Sequence, residues 1–139
     1  MTTNIRPELS ESNKYWVGKH RYYELKHFCL QYPIWKNIYE ELCDSTIPLS
    51  MIERVPTSNL PGDPTSKRAL FKAQYSEKIQ MIERAAKTAD RYLHNYIIKA
   101  VTEGLSYTYL KSKLDIPCSR DTYYDRYRKF FWTLNEIRD

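Results

Sequence analysis

Residues 104–138 read GLSYTYLKSKLDIPCSRDTYYDRYRKFFWTLNEIR, and their spacing decides the fold. Gly104 closes a helix running from about 92 to 102, because glycine accepts the left-handed backbone found at helix ends. Ser106 is placed to cap a short helix through Leu114, with Leu110 and Leu114 on one face. Asp115, Ile116 and Pro117 make a turn, and Ser119 caps a final helix that reaches about Ile137. Short helix, brief turn and longer helix together predict a helix-turn-helix.

Spacing also divides the last helix into faces. Tyr123, Tyr127, Phe130 and Leu134 recur at intervals of four, three and four, so they are expected to face the supporting helices. Arg120, Asp121, Tyr124, Asp125 and Arg128 are left on the other side, mostly in the first two turns. In a helix-turn-helix, that end of the second helix enters the major groove of duplex DNA. Arginine can contact guanine through two hydrogen bonds, and tyrosine can reach a phosphate or a thymine methyl. Aspartate repels phosphate, so it must accept from cytosine, orient an arginine or face away. Arg126, Lys129, Lys111 and Lys113 are candidate phosphate contacts, each a salt-sensitive term. Ser106, Ser119 and Thr122 at the helix starts complete the candidate DNA-binding set. An amphipathic helical hairpin with no nucleic-acid role would show much of the same pattern.

Working outward, the upstream chain is also helical in pattern. Residues 1–11 are polar and unpatterned, as in a frayed tail. From 13 to 31, Trp16, Tyr22, Tyr23, Leu25, Phe28 and Cys29 fit a helical face. Tyr32-Pro33 breaks it, and a second helix follows with Ile34, Trp35, Ile38, Tyr39 and Leu42 on one side. The reading for 1–43 is a helical hairpin. Residues 44–63 hold Pro48, Pro56, Pro61 and Gly62, and read as an irregular linker. Asp63-Pro64 starts a long amphipathic helix striped by Phe71, Tyr75, Ile79, Ile82, Ala86 and Ala89. Asp90 is expected to cap the next helix, with Leu93, Ile97, Ile98 and Val101 inward. The short run 47–55 carries the one strand signal. The chain is expected to be all-α, with 64–139 holding the long helix and the DNA-binding module.

Composition excludes several alternatives. The 139 residues include thirteen tyrosines, three tryptophans and four phenylalanines, but only three glycines. So few glycines argue against Gly-rich phosphate loops and against a turn-rich β-sandwich. The formal net charge is +5, which permits a nucleic-acid partner without requiring one. Cys29, Cys43 and Cys118 are odd in number with no C-x-x-C pair, so free thiols in a reducing compartment are expected. His20, His27 and Cys29 have no second cluster to complete a zinc site, and no metal or cofactor is expected. His20, His27 and His94 lack a nucleophile or paired base at suitable spacing, so nothing indicates an enzyme. No apolar run approaches the roughly 18 residues of a membrane span. Nothing resembles a signal peptide, and a cytoplasmic location in a bacterial host is expected.

Gly104, Leu105, Ser106 and Tyr107, then Leu110, Leu114 and Ile116, are similar to the start of the promoter-reading helix-turn-helix in region four of bacterial sigma factors. The stretch 116–122, through Arg128, Lys129, Phe130 and Phe131, resembles the C-terminal end of the RinA and ArpU type phage regulators. Glu41-Leu42-Cys43-Asp44, a Pro-containing linker, and Thr65-Ser66-Lys67 opening a long helix have the same layout. The resemblance implies a regulator that switches on late genes of phages or prophages in Gram-positive bacteria, binding promoter or operator DNA through the C-terminal module. The N-terminal hairpin and long helix would then supply homodimer contacts or contact with host RNA polymerase. Two positions depart from sigma-type modules, which usually place a small residue where Lys111 sits and glycine where Asp115 sits. Lys111 must extend its stem to the surface. Asp115 must take up the left-handed turn that glycine usually occupies. The rival readings are a small terminase subunit, which is a ring-forming helical phage protein, and a helical interaction protein with no DNA role.

Overall fold

The computed structural model describes residues 13–52, 55 and 62–139. All regular structure among them is helical, and no strand is present there. The helices are α1 (Lys19–Leu30), α2 (Tyr32–Cys43), α3 (Pro64–Ala89), α4 (His94–Glu103), α5 (Tyr107–Leu114) and α6 (Arg120–Arg138). A short 3-10 turn at Leu49–Met51 replaces the strand expected within 47–55. Two compact units result, one of 13–31 with Met81–Asp139 and one of Tyr32–Gln80. The sequence boundaries at 43 and 63 therefore differ from the structural ones. The two expected N-terminal helices are both present and part company at Gln31, but they belong to different units. The polar tail 1–11 lies outside the described residues.

In the Tyr32–Gln80 unit, Ile38 and Leu42 of α2 pack with Leu49, Ile52, Val55 and Phe71. Part of the segment expected to be a linker is thus core: Leu49, Ile52 and Val55 are buried, while Ile47 is half-buried and Met51 is 72% exposed. Ile34 is 39% exposed, so α2 buries the narrower stripe Trp35, Ile38 and Leu42. Arg68 of α3 holds the beginning of the segment. Its guanidinium donates to the carbonyl oxygens of Leu42 at 2.8 Å, Asp44 at 3.4 Å and Ile47. Those are carbonyls left over at the end of α2 and in the turn after it. At the start of α3, Asp63 accepts from the Ser66 amide at 2.8 Å, a cap that also holds its carboxyl below the usual range. The α3 stripe serves both units, with Phe71 and Ile79 in one and Ile82, Ala86 and Ala89 in the other.

In the other unit, α1 packs on α4 and α6, and α4 packs on α5. Leu25, Cys29, Ile82, Ile97, Leu110, Ile116, Tyr123, Phe130, Phe131 and Leu134 are its most deeply buried side chains. α1 begins at Lys19 and not at 13, because Asn13 forms a turn by accepting from the amides of Tyr15 and Trp16. Trp16 is consequently 40% exposed, and Val17 takes the inward place. Asp90 caps a turn, not the helix itself: its Oδ1 accepts from Tyr92 and Leu93 amides at 2.8 and 2.9 Å, and α4 starts at His94. Ile97 and Val101 are buried as expected, with Ala100 beside them and Ile98 only half-buried. Gly104 ends α4 at φ 70°, and the Leu105 amide donates back to Ala100 at 2.9 Å.

Candidate nucleic-acid interface

The C-terminal pair is a capped short helix, a turn and a capped long helix. Ser106 accepts from the Tyr109 amide at 3.2 Å and starts α5. Ser119 accepts from the Thr122 amide at 3.2 Å and starts α6. Each cap satisfies an amide that has no partner within its helix. Asp115 occupies the left-handed region at φ 52° and ψ 48°, so an aspartate makes the turn that glycine usually makes. Ile116 is fully buried and anchors the turn. Tyr107 donates its hydroxyl to the Cys118 carbonyl at 2.6 Å, tying the first turn of α5 to the residue before the α6 cap. Lys111 is exposed, as its position demands, with Nζ 3.4 Å from the Ile116 carbonyl oxygen.

The candidate DNA-binding residues fall into distinct groups. Ser106, Lys111, Lys113, Ser119, Arg120, Asp121 and Thr122 are exposed. Asp125, Arg128 and Lys129 are half-buried. Tyr124 is buried, at 9% exposure, which corrects its placement on the outer face. Its ring packs against Tyr107, Tyr123 and Tyr127 at centroid distances of 6.4, 5.0 and 5.9 Å. Arg120 lies over its outer face at 5.4 Å. The Tyr107 ring of α5 widens the apolar groove, so two adjacent tyrosines, about 100° apart on the helix, both fit inside it.

Arg126 also departs from expectation. Its guanidinium lies 3.3 Å from Asp125 and 3.3 Å from Asp90, so it is half-buried and links two acids within the protein. Lys111, Lys113 and Arg120 remain as exposed cations, against Asp115 and Asp121 as exposed acids. The electrostatic attraction of this surface for a polyanion is therefore modest.

Spacing correctly places Tyr123, Phe130 and Leu134 in the core. Tyr127 makes an unforeseen hydroxyl contact with Tyr22 at 2.6 Å. Neither that pair nor Asp90–Arg126 leaves a local trace in sequence, since each joins separate elements. Burial raises the phenol pKa of Tyr123 and Tyr127 and the thiol pKa of Cys29. Cys29 is buried while His20 and His27 are exposed, and no metal-binding group of side chains occurs among the described residues. Among those residues, no helix is long and apolar enough to cross a membrane.

Comparisons with protein-family models, with curated proteins and with solved structures give no match to this chain.

Proposed function

We infer that the protein binds duplex DNA sequence-specifically through α5 and α6, and regulates transcription, most simply as an activator of phage or prophage late genes. The observation that carries the reading is the α5–turn–α6 unit itself. Both helices are capped by serine, the turn is closed by a left-handed residue, and Lys111, Lys113 and Arg120 are displayed around it. The first turns of α6 would enter the major groove, with Arg120 as the base-reading candidate. Lys111 and Lys113 on α5 would contact the phosphate backbone. The late-gene role rests on the resemblance to the RinA and ArpU type regulators and to sigma region four.

Selection of bound duplexes from a random pool tests the reading. Enrichment of one motif is expected. Arg120→Ala should then weaken binding to that motif by about 1–3 kcal/mol and relax preference at one position. Lys111→Ala should weaken all sequences evenly and reduce the salt slope by about one. A pool that shows no enrichment and no retention at low salt would refute DNA binding.

A further inference from the structure

The turn at 90–93 is built more firmly than a connection between helices needs. One oxygen of Asp90 accepts from the Tyr92 and Leu93 amides at 2.8 and 2.9 Å, and the other forms an ion pair, without hydrogen-bond geometry, with Arg126 Nε of α6 at 3.3 Å. His94 Nδ1 lies 2.8 Å from the Arg91 carbonyl oxygen. Leu93 is buried beneath the turn. The carboxylate is thus consumed internally, and its side chain is only 16% exposed. The turn turns outward a different pair: Arg91 is exposed and Tyr92 is 87% exposed, more than any other large hydrophobic residue described.

A single exposed ring is ordinary on a protein surface; what sets Tyr92 apart is the exposed Arg91 beside it, on a turn ion-paired to α6 through Asp90 and Arg126. The chemistry of the pair is specific. A guanidinium and a phenol are both hydrogen-bond donors, and donors to phosphate oxygens are what a nucleic-acid backbone receives. The location is specific too. Arg126 docks the turn beside α6, one helical turn beyond Thr122.

We propose that Arg91 and Tyr92 form a second contact to the DNA phosphate backbone, held in register with α6 by the Asp90–Arg126 link. The proposal rests on the duplex-DNA reading above. It widens the footprint beyond α5 and α6 and adds a cation to a modestly charged surface.

Titration of the full chain with a fluorescein-labelled random-sequence duplex tests it, read by anisotropy between about 50 and 200 mM KCl. Both side chains are exposed, so their variants keep the fold. Arg91→Ala should lower the log–log salt slope by about 0.9, shrinking its deficit about threefold across that range. Arg91→Lys should restore the slope. Tyr92→Phe should weaken binding about two- to tenfold with the slope unchanged, because a neutral donor is lost. If Arg91→Ala and Tyr92→Phe both superimpose on the parent while Lys111→Ala lowers the slope, this second contact is overturned and the DNA reading stands. If the parent chain itself fails to bind the duplex at low salt, both fall together.

Discussion

The hydroxyls of Tyr22 and Tyr127 meet at 2.6 Å and join α1 to α6 across 105 residues of sequence. Both rings also pack on Phe131, at centroid distances of 5.1 and 4.9 Å. α1 therefore belongs to the support of α6, reinforced by Arg21 donating to Asn135 at 2.6 Å. Tyr22→Phe or Tyr127→Phe removes one half of the pair and should cost about 1–2 kcal/mol. The double variant should cost clearly less than the sum, because the surviving hydroxyl no longer lacks its partner. Denaturant unfolding of the four proteins measures the coupling, and strictly additive values would mean that the contact contributes nothing.

The same cluster predicts sensitivity to alkali. Burial lifts the Tyr127 phenol well above its ordinary value of 10.0, with Tyr22 adding to the rise. Burial also lifts Tyr123, and lifts the Cys29 thiol above its ordinary 9.0. Between the ordinary and the raised values, the unfolded chain releases protons that the native protein retains. Stability is then fully present below about pH 9 and falls as pH rises through the raised values, by about 1.4 kcal/mol per pH unit for each such group. Denaturant midpoints that hold level from about pH 9 to 11 would contradict this. Tyr127→Phe should make the decline shallower.

Tyr124 separates packing from recognition. Helical spacing identified the inward stripe of α6 but assigned this neighbour of Tyr123 to the outer face. The reason is that α5 was invisible to that periodicity: Tyr107 extends the groove by packing on both rings, at 5.7 and 6.4 Å. Tyr124→Ala should therefore destabilise the protein by about 3–5 kcal/mol, as loss of a buried aromatic does. Tyr124→Phe should leave DNA affinity unchanged. Thermal melts and DNA titration of both variants check this, and a folded Tyr124→Phe protein with impaired binding would return the hydroxyl to the interface.

Three of the helix starts, those of α3, α5 and α6, are legible because capping needs only a local signal, whereas the starts of α1 and α4 are displaced from their expected places. Ser106, Ser119 and Asp63 all accept the amide three residues ahead. On the proposed DNA-binding reading, Ser119 also lies at the end of α6 that a phosphate would approach. Ser119→Ala should cost about 1 kcal/mol of stability by removing the cap. Ser119→Asp should retain the cap and the stability, yet weaken DNA binding by placing a negative charge at the groove. Melting temperature and affinity should thus move independently in the two variants. Normal DNA affinity in Ser119→Asp would remove the α6 start from the interface.

The 44–63 segment was the least legible, because prolines and serines announce irregular backbone but not whether it is buried. The start of the segment, up to Ile47, is held by a residue of α3. Arg68 donates to carbonyls of Leu42, Asp44 and Ile47, and the Ile47 amide itself closes a turn onto the Asp44 carbonyl at 3.1 Å. A planar guanidinium can span several carbonyls at once, whereas an ammonium is a single point donor. Arg68→Ala should cost the Tyr32–Gln80 unit about 1.5–3 kcal/mol, and Arg68→Lys should recover little of it. Native-state hydrogen exchange can localise the loss. The Ile47 amide should exchange faster in both variants, while the Leu110 and Tyr123 amides in the other unit keep their protection. Equal acceleration in both units would show that Arg68 contributes to global stability and not to this segment.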